Sequence, residues 1–83
     1  MEALNVEIVA FHVNGMKCSG CSEKVEHGLK ALPGIFAVRA NHEADEVIVE
    51  YEINKNKREI ISKAIEDIGY QVEGYEVRDE LVE

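Results

Sequence analysis

The sequence predicts an α+β domain: a two-layer sandwich in which a four-stranded antiparallel sheet carries two helices on one face. Three observations lead there. The spacing of apolar residues alternates between the period of a strand and that of a helix, twice over. Turn residues punctuate the changes of period. The 83 residues are enough for one modest core and too few for two, so residues 1–83 are expected to form a single domain. A hydrophobic share of 46% with 31% charged residues is ordinary for a soluble globular chain, so disorder is not the default.

Val6 to Val13 alternates as a strand, with Val9, Phe11 and Val13 on one face and Ile8, Ala10 and His12 on the other, and Asn14-Gly15 ends it. From Ser19 to Ala31 the spacing becomes helical, Cys21, Val25, Leu29 and Leu32 sharing a face and Glu23, Glu26, His27 and Lys30 facing water. Gly28 costs this helix up to ~1 kcal/mol relative to alanine unless close packing requires a missing side chain. Pro33-Gly34 makes a turn. Ile35 to Asn41 and Glu46 to Tyr51 then read as two strands joined by the polar loop Glu43-Ala44-Asp45. Asn56 and Glu59 fit a capping box opening a second helix to Ile68, with Ile61, Ala64, Ile65 and Ile68 as its buried stripe. Gly69 stops that helix, Tyr70 to Val77 supplies a fourth strand with an irregularity at Gly74, and a charged tail begins at about residue 79. Two strand–helix–strand units joined by a hairpin make the split βαβ or ferredoxin-like βαββαβ sandwich. That arrangement hosts many functions, so function has to be read from the site.

The net charge of −8 argues against nucleic acid as a partner, because cationic side chains drive binding to phosphates. Residues 41–52 carry five acidic residues and no Lys or Arg, whereas residues 15–30 carry three lysines against two glutamates, which places the acidity away from the cysteines. No apolar run reaches the ~18 residues of a membrane span, and Met1-Glu2-Ala3-Leu4 lacks the basic start of a signal peptide. The expected location is cytoplasmic, where paired cysteines suggest metal or redox chemistry more than a structural disulfide.

Both cysteines fall in Gly15-Met16-Lys17-Cys18-Ser19-Gly20-Cys21. Cys18 ends the loop after the first strand and Cys21 lies in the first turn of the first helix, a spacing at which two sulfurs can converge. The helix N-terminus and Lys17 favour negative charge there, so both thiols are expected to lose their protons readily. Two thiolates without an obvious third ligand suit Cu(I), Ag(I) or Hg(II), while zinc, which normally takes about four ligands, is disfavoured. His12, His27 and His42 are weak candidates as further ligands: the first lies back along its strand, the second two turns along the helix, and the third is expected at the far end of the sheet.

The segment Gly15 to Cys21 resembles the Gly-Met-x-Cys-x-x-Cys signature of the heavy-metal-associated domain family, which includes small copper chaperones, metal-binding domains of copper-transporting P-type ATPases and periplasmic mercury-binding proteins. Leu32-Pro33-Gly34-Ile35 and Ala64-Ile65-Glu66-Asp67-Ile68-Gly69-Tyr70 resemble the family's inter-element turn and second helix end. The resemblance runs from about Val9 to Val77. It implies that Cys18 and Cys21 are the metal-binding thiolates, that Met16 tucks into the core without ligating, and that Tyr70 stands close to the metal. Lys17 stands where zinc and cadmium pumps of the family commonly carry an aspartate, and a cation there suits a bis-thiolate Cu(I) site of net charge −1. His42 and Gly28 depart from the family's usual apolar residue and alanine.

The expected function is that of a soluble copper chaperone. It would bind one Cu(I) through Cys18 and Cys21 and pass it by ligand exchange to the metal-binding domain of a copper-transporting P-type ATPase, without catalysis and without entering a membrane. The expected state is a monomer, with a metal-bridged dimer as the alternative. The second reading is a metal-binding domain of such an ATPase, followed by mercury handling. A thiol-disulfide oxidoreductase is disfavoured by the short chain, the Ser-Gly pair between the cysteines and the absence of Trp.

Overall fold

The first and third strands sit in the middle of the sheet. In the computed structural model, which describes residues 5–16 and 19–78 apart from the Ser19 side chain, the order is β1 (Val6–Asn14), α1 (Ser19–Lys30), β2 (Ile35–Asn41), β3 (Glu46–Glu52), α2 (Arg58–Ile68) and β4 (Gln71–Arg78). The strands form one sheet in the order β2-β3-β1-β4, and every neighbouring pair is antiparallel. This is the ferredoxin-like βαββαβ fold. The charged tail from residue 79 lies outside the described residues.

Val9, Phe11 and Val13 of β1 are buried between the sheet and the helices, with Val38 of β2 and Val47, Val49 and Tyr51 of β3 beside them. The helices close this layer with Val25 and Leu29 from α1 and Ile61 and Ile65 from α2. Gly28 brings the two helices together: a Cβ there would come within 2.6 Å of Ile68 Cδ1. Of the two readings of this glycine, a plain helix cost or a close approach, the second holds. The irregularity expected at Gly74 is a bulge, since His12 pairs with Gly74 and Val13 with Val72, leaving Glu73 as the extra residue.

The start of α2 differs from the expected capping box. Lys57 is the N-cap residue and makes no side-chain cap bond. Asn56, 3% exposed, instead joins two segments: its Nδ2 donates to the Pro33 carbonyl at 2.8 Å, and its Oδ1 accepts the Lys57 N–H at 2.8 Å. The amide is thus used to fasten the α1–β2 turn to the helix, where both its donor and its acceptor find partners. Leu32 also falls beyond the end of α1, yet still packs against the core from the turn.

Near the same end of the sheet, the Tyr51 hydroxyl donates to the Glu7 carboxylate, Arg58 Nη1 lies 3.3 Å from Glu7 Oε2, and the Arg58 guanidinium sits 5.0 Å from the centre of the Tyr75 ring. Burial, followed by the bond to Glu7, pushes the Tyr51 phenol well above the ordinary range. Ile8 of β1 pairs with Arg78 of β4, so the chain enters β1 and leaves β4 at this end, and β1 delivers it to Gly15 at the other.

Replacing Asn56 with alanine removes both bonds from a buried position and should lower the unfolding free energy by about 1–3 kcal/mol. Urea denaturation followed by circular dichroism measures this, and an unchanged midpoint would contradict the fastening role.

Candidate metal centre

The site is built where β1 hands the chain to α1. Asn14 ends the strand, and Gly15 turns the backbone with φ +109°, a conformation that L side chains rarely adopt. A Cβ at Gly15 would lie 3.2 Å from Tyr70 Cδ1, so the Tyr70 ring rests against the loop backbone. Met16 is 3% exposed and belongs to the core cluster, seated among the strand and helix side chains. A thioether so placed fills an irregular space under the loop.

Helix α1 then begins, and Cys21 lies in its first turn, half-buried and packed against the core. Lys17 and Cys18 lie outside the described residues. Tyr70 reaches the loop from the opposite flank because α2 ends in a tight double bond: Gly69 N–H donates to the Glu66 carbonyl at 3.0 Å and Tyr70 N–H to the Ile65 carbonyl at 3.4 Å. Gly69 takes φ +123°, which this helix stop requires. One end of the sheet therefore gathers the Gly15-Met16 loop, Cys21 and Tyr70.

The histidines divide differently from the sequence expectation. His12 is exposed, paired across the sheet with Glu46 and Gly74, and His27 is exposed in the last turn of α1. His42 corrects the expected placement. It lies in the turn after β2, at the cysteine end of the sheet rather than the far end, with its Nδ1 3.5 Å from Ser22 Oγ. The reason is topological: β2 runs parallel to β1, so both end at the same side of the sheet. Among the described residues, no group of three or more His, Cys, Asp or Glu side chains is placed to hold a metal ion.

The same topology corrects the charge reading. The β2–β3 turn brings Glu43 and Asp45 to the cysteine end, where Val13 N–H donates to the Asp45 carbonyl at 2.9 Å. Acidity that is distant from Cys21 in sequence is therefore partly at the same end of the sheet. Ser22, 7% exposed, went unnoticed in the sequence. Its spacing to Val25 and Leu29 places it on the buried helix face, and that was the available signal. Glu26, read as solvent-facing, accepts the Ala40 N–H through its Oε2 at 2.9 Å.

A family profile described as "Heavy-metal-associated domain" matches residues 10–71. Over 67 residues the chain is 39% identical to the copper chaperone CopZ of Bacillus subtilis (strain 168), covering 81% of this chain and 97% of that protein. It is also 30% identical over 70 residues to the copper-transporting ATPase HMA4 of Oryza sativa subsp. japonica, covering 84% of this chain and 7% of the ATPase. A copper-exporting P-type ATPase of Staphylococcus epidermidis is matched over 9% of its length. The chain thus spans only a small part of these ATPases. Among solved structures, a copper binding domain from HMA7, a P-type ATPase, superposes with a TM-score of 0.77 at 29% identity, covering 88% of this chain and 95% of that one.

Because Met16 acts on the loop through packing, Met16→Leu should cost less than about 1.5 kcal/mol. Met16→Ala should cost about 2–5 kcal/mol. Urea midpoints of the two variants check the order, and equal losses would contradict a packing role.

Proposed function

The chain belongs to the heavy-metal-associated domain family, and on that premise we propose that it is a cytoplasmic copper carrier: it binds Cu(I) through the thiolates of Cys18 and Cys21 and hands it to a Cys-x-x-Cys domain of a copper-transporting P-type ATPase. The observation that carries this reading is the Cys-x-x-Cys pair at the start of α1, in a chain whose likeness to a copper chaperone covers 97% of that protein. The identity to the chaperone, 39%, exceeds the 30% to the rice ATPase, which favours a carrier over an ATPase domain. No helix among the described residues is long and apolar enough to cross a membrane.

The chemistry follows from the donor set. Cu(I) is soft and accepts two thiolates without a closed cage. The positive end of α1 and the Lys17 ammonium favour the negative bis-thiolate complex. Buried Met16 supports the loop from below and Tyr70 flanks it, so neither has to ligate. Transfer is a ligand exchange: an incoming thiolate of the partner bonds to Cu(I), giving a three-coordinate bridge, and one donor sulfur then leaves. Copper keeps its oxidation state throughout. The protein catalyses no reaction on a substrate, and is a monomer when it holds copper alone. Ag(I) and Hg(II) fit the same two sulfurs, whereas Zn(II) lacks the further donors it prefers.

Glu43 and Asp45 at the cysteine end, in a chain of net charge −8, favour a partner with basic residues around its own cysteines.

In a competition titration, the reduced chain should bind one Cu(I) against a chelator and prefer it to Zn(II), and Cys18→Ser and Cys21→Ser should each abolish that retention. Wild-type affinity in either variant would sink the reading. The rate of transfer to a basic partner domain should fall as salt is raised. Stopped-flow transfer that is indifferent to salt would remove the steering argument and leave the metal chemistry standing.

A further inference from the structure

We propose that His42 is a positioning residue for the metal-binding turn: through Ser22 it holds the first turn of α1, and with it Cys21, against the end of β2. The inference rests on the copper-carrier reading for its consequence, while its geometry stands independently.

His42 is mounted on a braced turn. Asn41 Oδ1 accepts the N–H groups of Glu43 at 3.0 Å and Ala44 at 3.3 Å, which fixes the chain immediately after His42. From there the imidazole Nδ1 comes 3.5 Å from Ser22 Oγ, and Ser22 is buried. Hydroxyl and imidazole can exchange donor and acceptor roles, so the pair can be satisfied in either tautomer of the neutral ring. One helical turn further on, Glu26 Oε2 accepts the Ala40 N–H at 2.9 Å. Ser22 and Glu26 are four residues apart and therefore share a helix face. Two polar ties, one turn apart, join the start of α1 to the last residues of β2. On the opposite flank, the close approach of Gly28 to Ile68 presses the helix against α2.

This matters because the first turn is where a helix frays, its N–H groups having no partner within the helix. Cys21 precedes Ser22 directly, so a loosened Ser22 loosens the cysteine. A two-sulfur site has no further ligands to restore its geometry, and the position of the Cys21 sulfur depends on the backbone of this turn. Of these two ties, Glu26 binds further along the helix and the Ser22–His42 contact lies in its first turn, at the residue next to Cys21.

Four variants of the full chain test the proposal: Ser22→Ala, His42→Leu, the double variant and His42→Asn, which returns a polar group to the position of Nδ1. Thermal unfolding by circular dichroism selects the variants that fold. One readout is the rate at which the Cu(I)-loaded chain loses metal to a bathocuproine disulfonate competitor. The other needs no copper: the rate of Cys21 alkylation by iodoacetamide in the reduced apo chain, located by peptide mass mapping. Ser22→Ala and His42→Leu should each raise both rates about threefold to tenfold, the equivalent of one hydrogen bond. The double variant should be no worse than the worse single one, because the two side chains act as a unit. His42→Asn should return both rates to within about twofold of wild type.

Unchanged rates in the single variants would overturn the proposal, as would effects that multiply in the double variant or a shift in thermal midpoint unaccompanied by any change in Cys21 alkylation. Failure of the wild-type chain to take up Cu(I) would count against the copper-carrier reading, and the alkylation rates would still decide the role of His42.

Discussion

The burial of one face of β1 is the constraint on which the rest of the structure depends. Val9, Phe11 and Val13 face the helices, and the strand is paired on both sides, with β3 and with β4. A slip of one residue would turn these three side chains toward the opposite face, so the register is strongly specified. The point at which the chain leaves the sheet is thereby fixed, and Gly15 and Met16 follow at once. Met16 then returns to the same core. The loop is thus supported at both ends by apolar packing: by the strand that precedes it, and by the helix whose Val25 and Leu29 complete the interior.

Much of this was legible in the sequence because it depends on local periodicity. The six elements and the buried stripe of α2 follow from spacing that a single turn of helix or pair of strand residues defines. The Cys-x-x-Cys segment was equally legible, since its residues are contiguous. What escaped was tertiary. His42 looks remote from Cys21 along the chain, and only the parallel course of β1 and β2 returns it to the same end. Asn56 carries a capping signature, but the Pro33 carbonyl competes for its amide and Lys57 becomes the N-cap residue. Glu26 had a polar side chain on a polar stripe, with nothing local to indicate that an N–H of β2 would meet it.

The site also shows how a fold with a charged surface can present a small reactive group. Tyr70 and Met16 surround the loop with nonreactive bulk, one beside the backbone and one beneath it. The acidic turn between β2 and β3 then lies at the periphery of the same end. Apolar support against the Gly15-Met16 backbone and charge at the rim separate two requirements: the inner residues set the shape of the loop, while charge at the rim acts at longer range.

At the opposite pole, β1 begins beside the end of β4, close to the Glu7, Tyr51 and Arg58 contacts. A tether attached before Val6 or after Arg78 would therefore pull from behind the domain. The antiparallel pairing of β1 with β4 provides this: the chain enters the first strand and leaves the last at one end of the sheet, and the Gly15 loop stands at the other.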